Sequence, residues 1–173
     1  SAILYDYLLN MGADVTYYIP ERSEGYGLSV AAVDKLEAAG VSLIITVDNG
    51  ISAIDEAEHI NELGMKLVVT DHHQPSDKVP NACAVVVPHR HDDRSKFKDL
   101  AGVGVALKLL AALDDGNFDM VSEQYGDMTA IGTVADIVPL LGENRTIVSR
   151  GIGLLRNTEN IGLLGLVEEC GAN

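Results

Sequence analysis

The fold is decided by residues 43–73, LIITVDNGISAIDEAEHINELGMKLVVTDHH, in the first half of the chain. Two short runs, Leu43–Val47 and Lys66–Thr70, are apolar almost throughout and flank a segment of helical spacing that ends before Gly64. Strands without polar alternation are typical of a parallel sheet covered on both faces, and parallel neighbours need a crossover such as a helix. The stretch therefore predicts a strand–helix–strand unit with both strands buried.

The same alternation continues on both sides of this unit. Ser52, with Asp55 three residues later, predicts the N-cap of the central helix. Two further helices and two further strands are predicted, at residues 3–11, 29–39, 15–19 and 84–87. Beyond residue 100 the pattern is helical, with predicted helices at residues 101–113, 120–137, 144–155 and 161–169.

The expected fold class is α/β, a parallel sheet flanked by helices and followed by a helical segment. A chain of 173 residues with 47% hydrophobic content is long enough for one core. We expect a single domain over residues 1–173, in which residues 1–99 alternate strand and helix and residues 100–173 lead into a linker helix. Both ends look truncated, because the chain begins without Met inside a helical pattern and stops just after another one.

Composition limits the compartment and the partners. Neither an apolar run of about 20 residues nor a signal sequence is present, so we expect a soluble, cytoplasmic protein without membrane contact. Cys83 and Cys170 are too few for a disulfide framework. The formal net charge of −14 is unfavourable for a nucleic-acid enzyme, because Lys and Arg normally neutralise the phosphates. Either the acidity surrounds a cluster of metal-binding carboxylates, or nucleic acid is not the substrate.

Carboxylates follow the two central strands directly. Asp48 ends the first strand and Asp71 ends the second, and ligands of open parallel sheets bind at this carboxyl edge. The two carboxylates are expected about 5 Å apart if the strands are neighbours, or about 10 Å apart if one strand intervenes. Anions at that distance repel each other, which makes a shared cation a natural solution.

His72 and His73 add imidazoles immediately after Asp71. A mixture of carboxylate and imidazole ligands suits Mn²⁺ better than Ca²⁺, and the alternative is two surface histidines in a loop. Asp136 lies in an otherwise apolar stretch, residues 132–140, where a buried carboxylate needs a cation or strong donors. Spacing alone leaves a structural or salt-bridged role for Asp136 equally open.

Five motifs in order give a specific resemblance. The segments at residues 20–27, 44–51, 68–73, 100–106 and 132–140 resemble successive motifs of the RecJ branch of the DHH phosphoesterases. This resemblance implies a two-metal phosphodiester hydrolase that uses Mn²⁺ or Mg²⁺ and acts from the 5′ end of single-stranded DNA, in repair and recombination. The chemistry of such a centre uses a metal-activated water as the nucleophile.

The resemblance also implies roles for single residues. Asp48, Asp71, His72 and Asp136 correspond to metal ligands, with Asp71 as a candidate bridge between the ions. His73 corresponds to a second histidine, favoured here for contact with the scissile phosphate or its leaving oxygen, with metal ligation as the alternative. Arg22 corresponds to a phosphate-binding arginine, with an ordinary loop cation as the alternative. Gly102 and Gly104 open a helix and either admit phosphate to backbone N–H groups or permit close helix packing.

The sequence departs from the family pattern in one respect. The first family motif, of Asp-x-Asp-Gly type, is absent before the initial helix, so the chain by itself is expected to have little activity. The resemblance further implies a second, DHHA1-like domain that is missing here. The alternatives are an oligoribonuclease, a cyclic-dinucleotide phosphodiesterase, a manganese pyrophosphatase, or a non-catalytic scaffold relative.

Overall fold

A small parallel sheet with helices on both sides forms the first half of the chain. The computed structural model describes residues 1–21 and 25–171. In chain order its elements are α1 (Ala2–Asn10), α2 (Val30–Ala38), β1 (Leu43–Val47), α3 (Ile54–Glu62), β2 (Lys66–Thr70), β3 (Ala84–Val86), α4 (Gly102–Leu113), α5 (Phe118–Ala135), α6 (Gly142–Leu155) and α7 (Ile161–Glu169). The α/β class is confirmed.

The three strands are parallel and lie in the order β1–β2–β3. The register pairs Leu43 with Lys66 and Val47 with Thr70, so β1 and β2 end at the same level. The predicted bounds of β1 and β2 are confirmed, and β3 is one residue shorter than the predicted strand. Both central strands end at an aspartate, and these two aspartates are therefore adjacent.

Alternate side chains of the sheet enter two separate cores. Ile44 of β1 and Leu67 of β2 belong to a cluster with residues of α2 and α3, among them Val33 and Ile60. Ile45, from the opposite face of β1, packs on a second cluster built mainly from α1, α4 and α5. The sheet is covered on both faces, as its apolar strands predicted.

Two predictions about local structure are wrong. Residues 15–19 have strand-forming side chains, yet the backbone from 13 to 20 belongs to no sheet in the described part of the chain, because no neighbouring strand supplies its hydrogen bonds. Ser52 is not the N-cap of α3. Ala53 is, without a side-chain cap bond. The Ile54 amide, one of the donors that a Ser52 side chain would cap, instead donates to the Ser52 carbonyl at 2.9 Å.

Helices α4, α5 and α6 pack into a helical layer against the sheet. Tyr125 of α5 is buried in its core, and its hydroxyl donates to Asp6 Oδ2 of α1 at 2.8 Å. Helices α5 and α6 touch at two glycines: a Cβ on Gly151 would lie 2.2 Å from the carbonyl oxygen of Gly126. Nowhere in residues 1–21 and 25–171 is a helix both long and apolar enough to cross a membrane.

The glycine contact between α5 and α6 gives a stability prediction. Gly151→Ala places a methyl group against the backbone of α5, and we expect it to lower the free energy of unfolding by about 1–3 kcal/mol. Gly153→Ala is the matched control, since it lies in the same helix with nothing within 4 Å of its Cβ position. It is expected to stabilise by about 0.5–1 kcal/mol through helix propensity. Chemical denaturation followed by circular dichroism measures both, and equal effects would contradict the close contact.

Candidate metal centre

The carboxyl ends of β1 and β2 place two aspartates side by side. The Asp48 amide donates to the Thr70 carbonyl at 3.0 Å, and the Asp71 amide donates to the Val86 carbonyl at 3.2 Å. Each aspartate is thus attached through its backbone to the neighbouring strand. The sheet topology brings both carboxylates to one edge, which corresponds to the shorter of the two predicted arrangements.

The turn after β1 holds Asp48 in a left-handed conformation, with φ of 66°. Such a backbone costs a residue with a Cβ roughly 1–2 kcal/mol. The following residues support the turn: Asn49 Nδ2 donates to the Val47 carbonyl at 3.1 Å, and a Cβ on Gly50 would lie 2.6 Å from Thr46 Oγ1. Strain at a residue of this kind is typical of a functional site.

His72 lies between two carboxylates from distant parts of the chain. Its Nε2 is 3.0 Å from Asp48 Oδ1 and 3.5 Å from Asp136 Oδ2. The contact with Asp48 raises the pKa of His72; burial opposes this rise, and the charges of Asp136 and Asp71 add to it. The protonated form of the imidazole is therefore favoured, and it places positive charge between the two carboxylates.

The polar atoms of this group are shielded from water but poorly bonded. Asp48 Oδ1, His72 Nε2 and Asp136 Oδ2 are buried, and within the described residues none makes a hydrogen bond of normal geometry. The 3.0 Å separation is accordingly an electrostatic contact rather than a well-aligned hydrogen bond. Buried polar atoms without partners are costly, and a cation bound among these oxygen and nitrogen atoms removes that cost.

Both carboxylate oxygens of Asp71, by contrast, accept hydrogen bonds from neighbouring residues. It is 1% exposed; its Oδ2 accepts from the Ile51 amide, and its Oδ1 accepts from the His72 amide at 2.7 Å. The ring of His73 completes the set, with Nδ1 2.6 Å from Asp71 Oδ1. Burial alone would raise the pKa of Asp71, but the hydrogen bonds from Ile51, His73 and His72 hold it below its usual value.

The structure brings most of the predicted ligands together. One potential ligand atom each from Asp48, His72 and His73 lies within 4.8 Å of the others, and Asp136 joins through His72. Asp71 adjoins this group through His73, and its role as a bridging ligand stays a prediction. The apolar run around Asp136 is not buried as expected: Ile137, with φ of 60°, is 90% exposed.

Gly102 contacts the site, whereas Gly104 has a packing contact. A Cβ on Gly102 would lie 2.2 Å from Asp48 Oδ1, and one on Gly104 would lie 3.1 Å from Leu100 Cδ2. Close packing thus accounts for both glycines, and their contact with phosphate stays a prediction. Arg22 lies outside the described residues.

Tyr26 is a site residue that sequence reasoning missed. Its hydroxyl donates to the Asp48 carbonyl at 2.9 Å, and its ring meets that of His73 edge to face, with centroids 6.1 Å apart. Partial burial, followed by the charge of Asp48, raises the pKa of Tyr26, so the hydroxyl stays a donor at neutral pH. The motif containing Tyr26 was visible in the sequence, but nothing in it indicated contact with residue 48.

Fold and centre together define an α/β protein with a cluster of carboxylate and imidazole groups, a candidate metal site, at the carboxyl edge of a parallel sheet. The chain belongs to the DHH family: the model of the DHH family, N-terminal domain, matches residues 1–133. The resemblance drawn from the motifs is confirmed.

Several relatives carry the name single-stranded-DNA-specific exonuclease RecJ. That of Bacillus subtilis is 41% identical over 100% of this chain and 22% of its own length. That of Escherichia coli is 43% identical over 83% of this chain and 27% of its length, and that of Thermus thermophilus is 39% identical over 99% and 25%. The chain thus spans less than a third of these relatives.

Two solved structures share the fold. The crystal structure of an exonuclease RecJ bound to manganese has a TM-score of 0.84 and 36% identity, over 98% of this chain and 43% of that one. The Thermus thermophilus RecJ in complex with Mn²⁺ has a TM-score of 0.79 and 34% identity, over 97% of this chain and 24% of that one. Both structures hold manganese.

Gly102 provides a test of the centre that substitutes none of the proposed ligand residues. In Gly102→Ala the new methyl group occupies the position of the Asp48 carboxylate, which must rotate away, and we expect Mn²⁺ affinity to fall about tenfold or more. Titration of free Mn²⁺ by electron paramagnetic resonance measures this. Gly153→Ala is the control, and an unchanged affinity in Gly102→Ala would show that Asp48 is not a ligand.

His72 gives a pH dependence with a definite sign. The pKa of His72 is higher in the folded protein than its unfolded value of about 6.5. Protonated His72 therefore stabilises the metal-free protein, and this contribution is fully present below the unfolded pKa. This stability is lost as pH rises through the folded pKa. Mn²⁺ competes with the same proton, so its affinity should increase as pH rises over this range and then level off.

The variant His72→Gln should remove this slope of metal-free stability. His59→Gln, which breaks a 2.7 Å contact with Asp34 away from the site, serves as its control and should retain the slope. Urea denaturation across about pH 5.5 to about pH 8.5 brackets the histidine range. A slope that survives in His72→Gln would assign the titration to another group.

Proposed function

We propose that the protein is a metal-dependent phosphodiester hydrolase that degrades single-stranded DNA from the 5′ end. The observation that carries this proposal is the group of unpartnered buried atoms of Asp48, His72 and Asp136. It lies in a chain that is 41% identical, over its whole length, to a RecJ exonuclease. We place the reaction in repair and recombination of cytoplasmic DNA.

Asp48, His72 and Asp136, together with Asp71, are the residues that would hold the metal. We propose two ions, Mn²⁺ or Mg²⁺, because hard carboxylate oxygens suit both and the imidazole favours Mn²⁺. Manganese in the two solved relatives supports this choice. When bound, such ions neutralise phosphate oxygens and lower the pKa of a bound water that attacks phosphorus.

We propose that His73 acts on the substrate. Because the pKa of Asp71 is low, its carboxylate is ionised, and the 2.6 Å contact fixes a proton on His73 Nδ1. Nε2 is then the end of the ring left to contact the scissile phosphate or the leaving oxygen. The His73 side chain is 46% exposed, which leaves room for this contact.

The binding surface for a strand lies only partly in this chain. A net charge of −14 opposes non-specific phosphate binding, so the proposal includes a second, DHHA1-like domain that supplies basic surface. Arg22, Gly102 and Gly104 are the proposed substrate contacts within the chain. Single-stranded nucleic acid is the proposed partner, as the names of the relatives indicate.

The test is hydrolysis by the complete protein of three kinds of substrate. Labelled 5′-phosphorylated single-stranded DNA, short RNAs and pyrophosphate are each incubated with Mn²⁺, and products are followed with time. We expect mononucleotides released from the 5′ end of the DNA strand. Preferential hydrolysis of short RNA or of pyrophosphate would move the protein to another branch of the family.

Matched variants connect the activity to the centre. Asp136→Asn is expected to lower the rate by about a hundredfold or more, because it removes a proposed ligand. Asp34→Asn removes a surface carboxylate that also contacts a histidine, His59, and should leave the rate unchanged. Equal rates in the two variants would refute the assignment of this centre.

A further inference from the structure

Tyr26 is a surface aromatic residue whose side chain contacts Asp48 and His73 of the candidate metal centre. Its side chain belongs to neither core cluster, and the residue is 79% exposed. Its hydroxyl nevertheless donates to the Asp48 carbonyl, and its ring contacts that of His73. A tyrosine this exposed contributes little to the free energy of unfolding through burial. Its role must therefore come from these two contacts.

The hydrogen bond acts on a residue of the site whose backbone is left-handed. Asp48 has φ of 66°, and a residue with a Cβ leaves that conformation readily unless its surroundings hold it. The Tyr26 hydroxyl fixes the carbonyl of this same residue at 2.9 Å. The carboxylate of the same residue lies beside His72. The orientation of the Asp48 backbone therefore determines the direction in which the Asp48 side chain points.

The ring contact acts on the second histidine. His73 is held at Nδ1 by Asp71, but a single hydrogen bond still permits the imidazole plane to tilt. The ring of Tyr26, at an interplanar angle of 77° to that of His73, and the ring of His72, with centroids 4.5 Å apart, limit that tilt. Edge-to-face pairs of rings at such separations are attractive.

We propose that Tyr26 is a positioning residue of the metal centre, which holds the left-handed Asp48 turn through its hydroxyl and the His73 imidazole through its ring. This inference rests on the proposed function, because it assumes that Asp48 and His73 serve a divalent cation and a phosphodiester. It assigns to Tyr26 no contact with the reacting atoms. Its role is to set the geometry of residues 48 and 73 before ligands bind.

Two substitutions separate the hydroxyl from the ring. Tyr26→Phe retains the ring and removes the hydrogen bond, so Mn²⁺ affinity should fall about fivefold, the equivalent of one hydrogen bond of about 1 kcal/mol, with the His73 ring signals nearly unchanged. Tyr26→Leu removes both contacts, so affinity should fall about tenfold or more and the His73 signals should shift. Tyr17→Phe and Tyr17→Leu are the controls, since Tyr17 is also exposed (64%) and contacts another ring, that of Tyr5.

Three measurements on the protein distinguish the outcomes. Electron paramagnetic resonance gives Mn²⁺ affinity, nuclear magnetic resonance of the metal-free protein gives the His73 ring environment, and urea denaturation gives stability, which should stay near that of the parent. Unchanged affinity and His73 signals in Tyr26→Leu would overturn the inference. So would losses in the Tyr17 variants as large as those in the Tyr26 variants.

Failure of the proposed function has a different signature. If the unsubstituted protein binds Mn²⁺ no better than its Asp136→Asn variant, the metal centre itself is refuted, whatever Tyr26 does. The His73 signals are recorded without metal, so they report the Tyr26 contact in that case as well. A shift in Tyr26→Leu without Mn²⁺ binding would refute the proposed function and reduce Tyr26 to a structural neighbour of His73.

Discussion

Electrostatic repulsion among carboxylates at one sheet edge is the constraint on which the site depends. Parallel pairing of β1 and β2 makes Asp48 and Asp71 neighbours, and the end of α5 adds Asp136. Two like charges 4 Å apart repel by about 4 kcal/mol at the effective dielectric of a protein surface. The arrangement therefore favours positive charge at this edge, which a protonated imidazole supplies in part and bound divalent cations would supply further.

The three aspartates of the site differ in their hydrogen bonding. Asp71 receives donors from the backbone and from His73, which fix it as a rigid, ionised anchor. Asp48 and Asp136 each keep a buried oxygen without a hydrogen-bond partner among the residues described. Both also adjoin left-handed backbone, at Asp48 itself and at Ile137. Hydrogen bonding thus divides the set into one aspartate that is held by protein donors and two that each keep an oxygen without a hydrogen-bond partner in the described residues.

Elements that one local sequence pattern encodes were predictable, whereas features that depend on a contact with a distant segment of the chain were not. The bounds of β1 and β2 follow from apolar runs ended by aspartate, so they were predictable. Residues 15–19 have the same β-forming character but no neighbouring strand in the described chain. Ser52 is not the N-cap of α3, because the Ile54 amide donates to the Ser52 carbonyl and not to its side chain. The contact of Tyr26 with Asp48 joins loops 22 positions apart, which no local pattern encodes.

The acidity of the chain has a consequence for how substrate and metal bind. A phosphodiester approaching the carboxylates of β1, β2 and α5 meets the same repulsion that these groups exert on one another, and a net charge of −14 adds to it. Cations at the centre reverse the sign of the local field. Because a coupling free energy is reciprocal, a phosphate that binds better to the metal-loaded site must also tighten the metal. An acidic surface is therefore compatible with the proposed nuclease activity, since it would weaken adventitious phosphate binding everywhere except where cations are held.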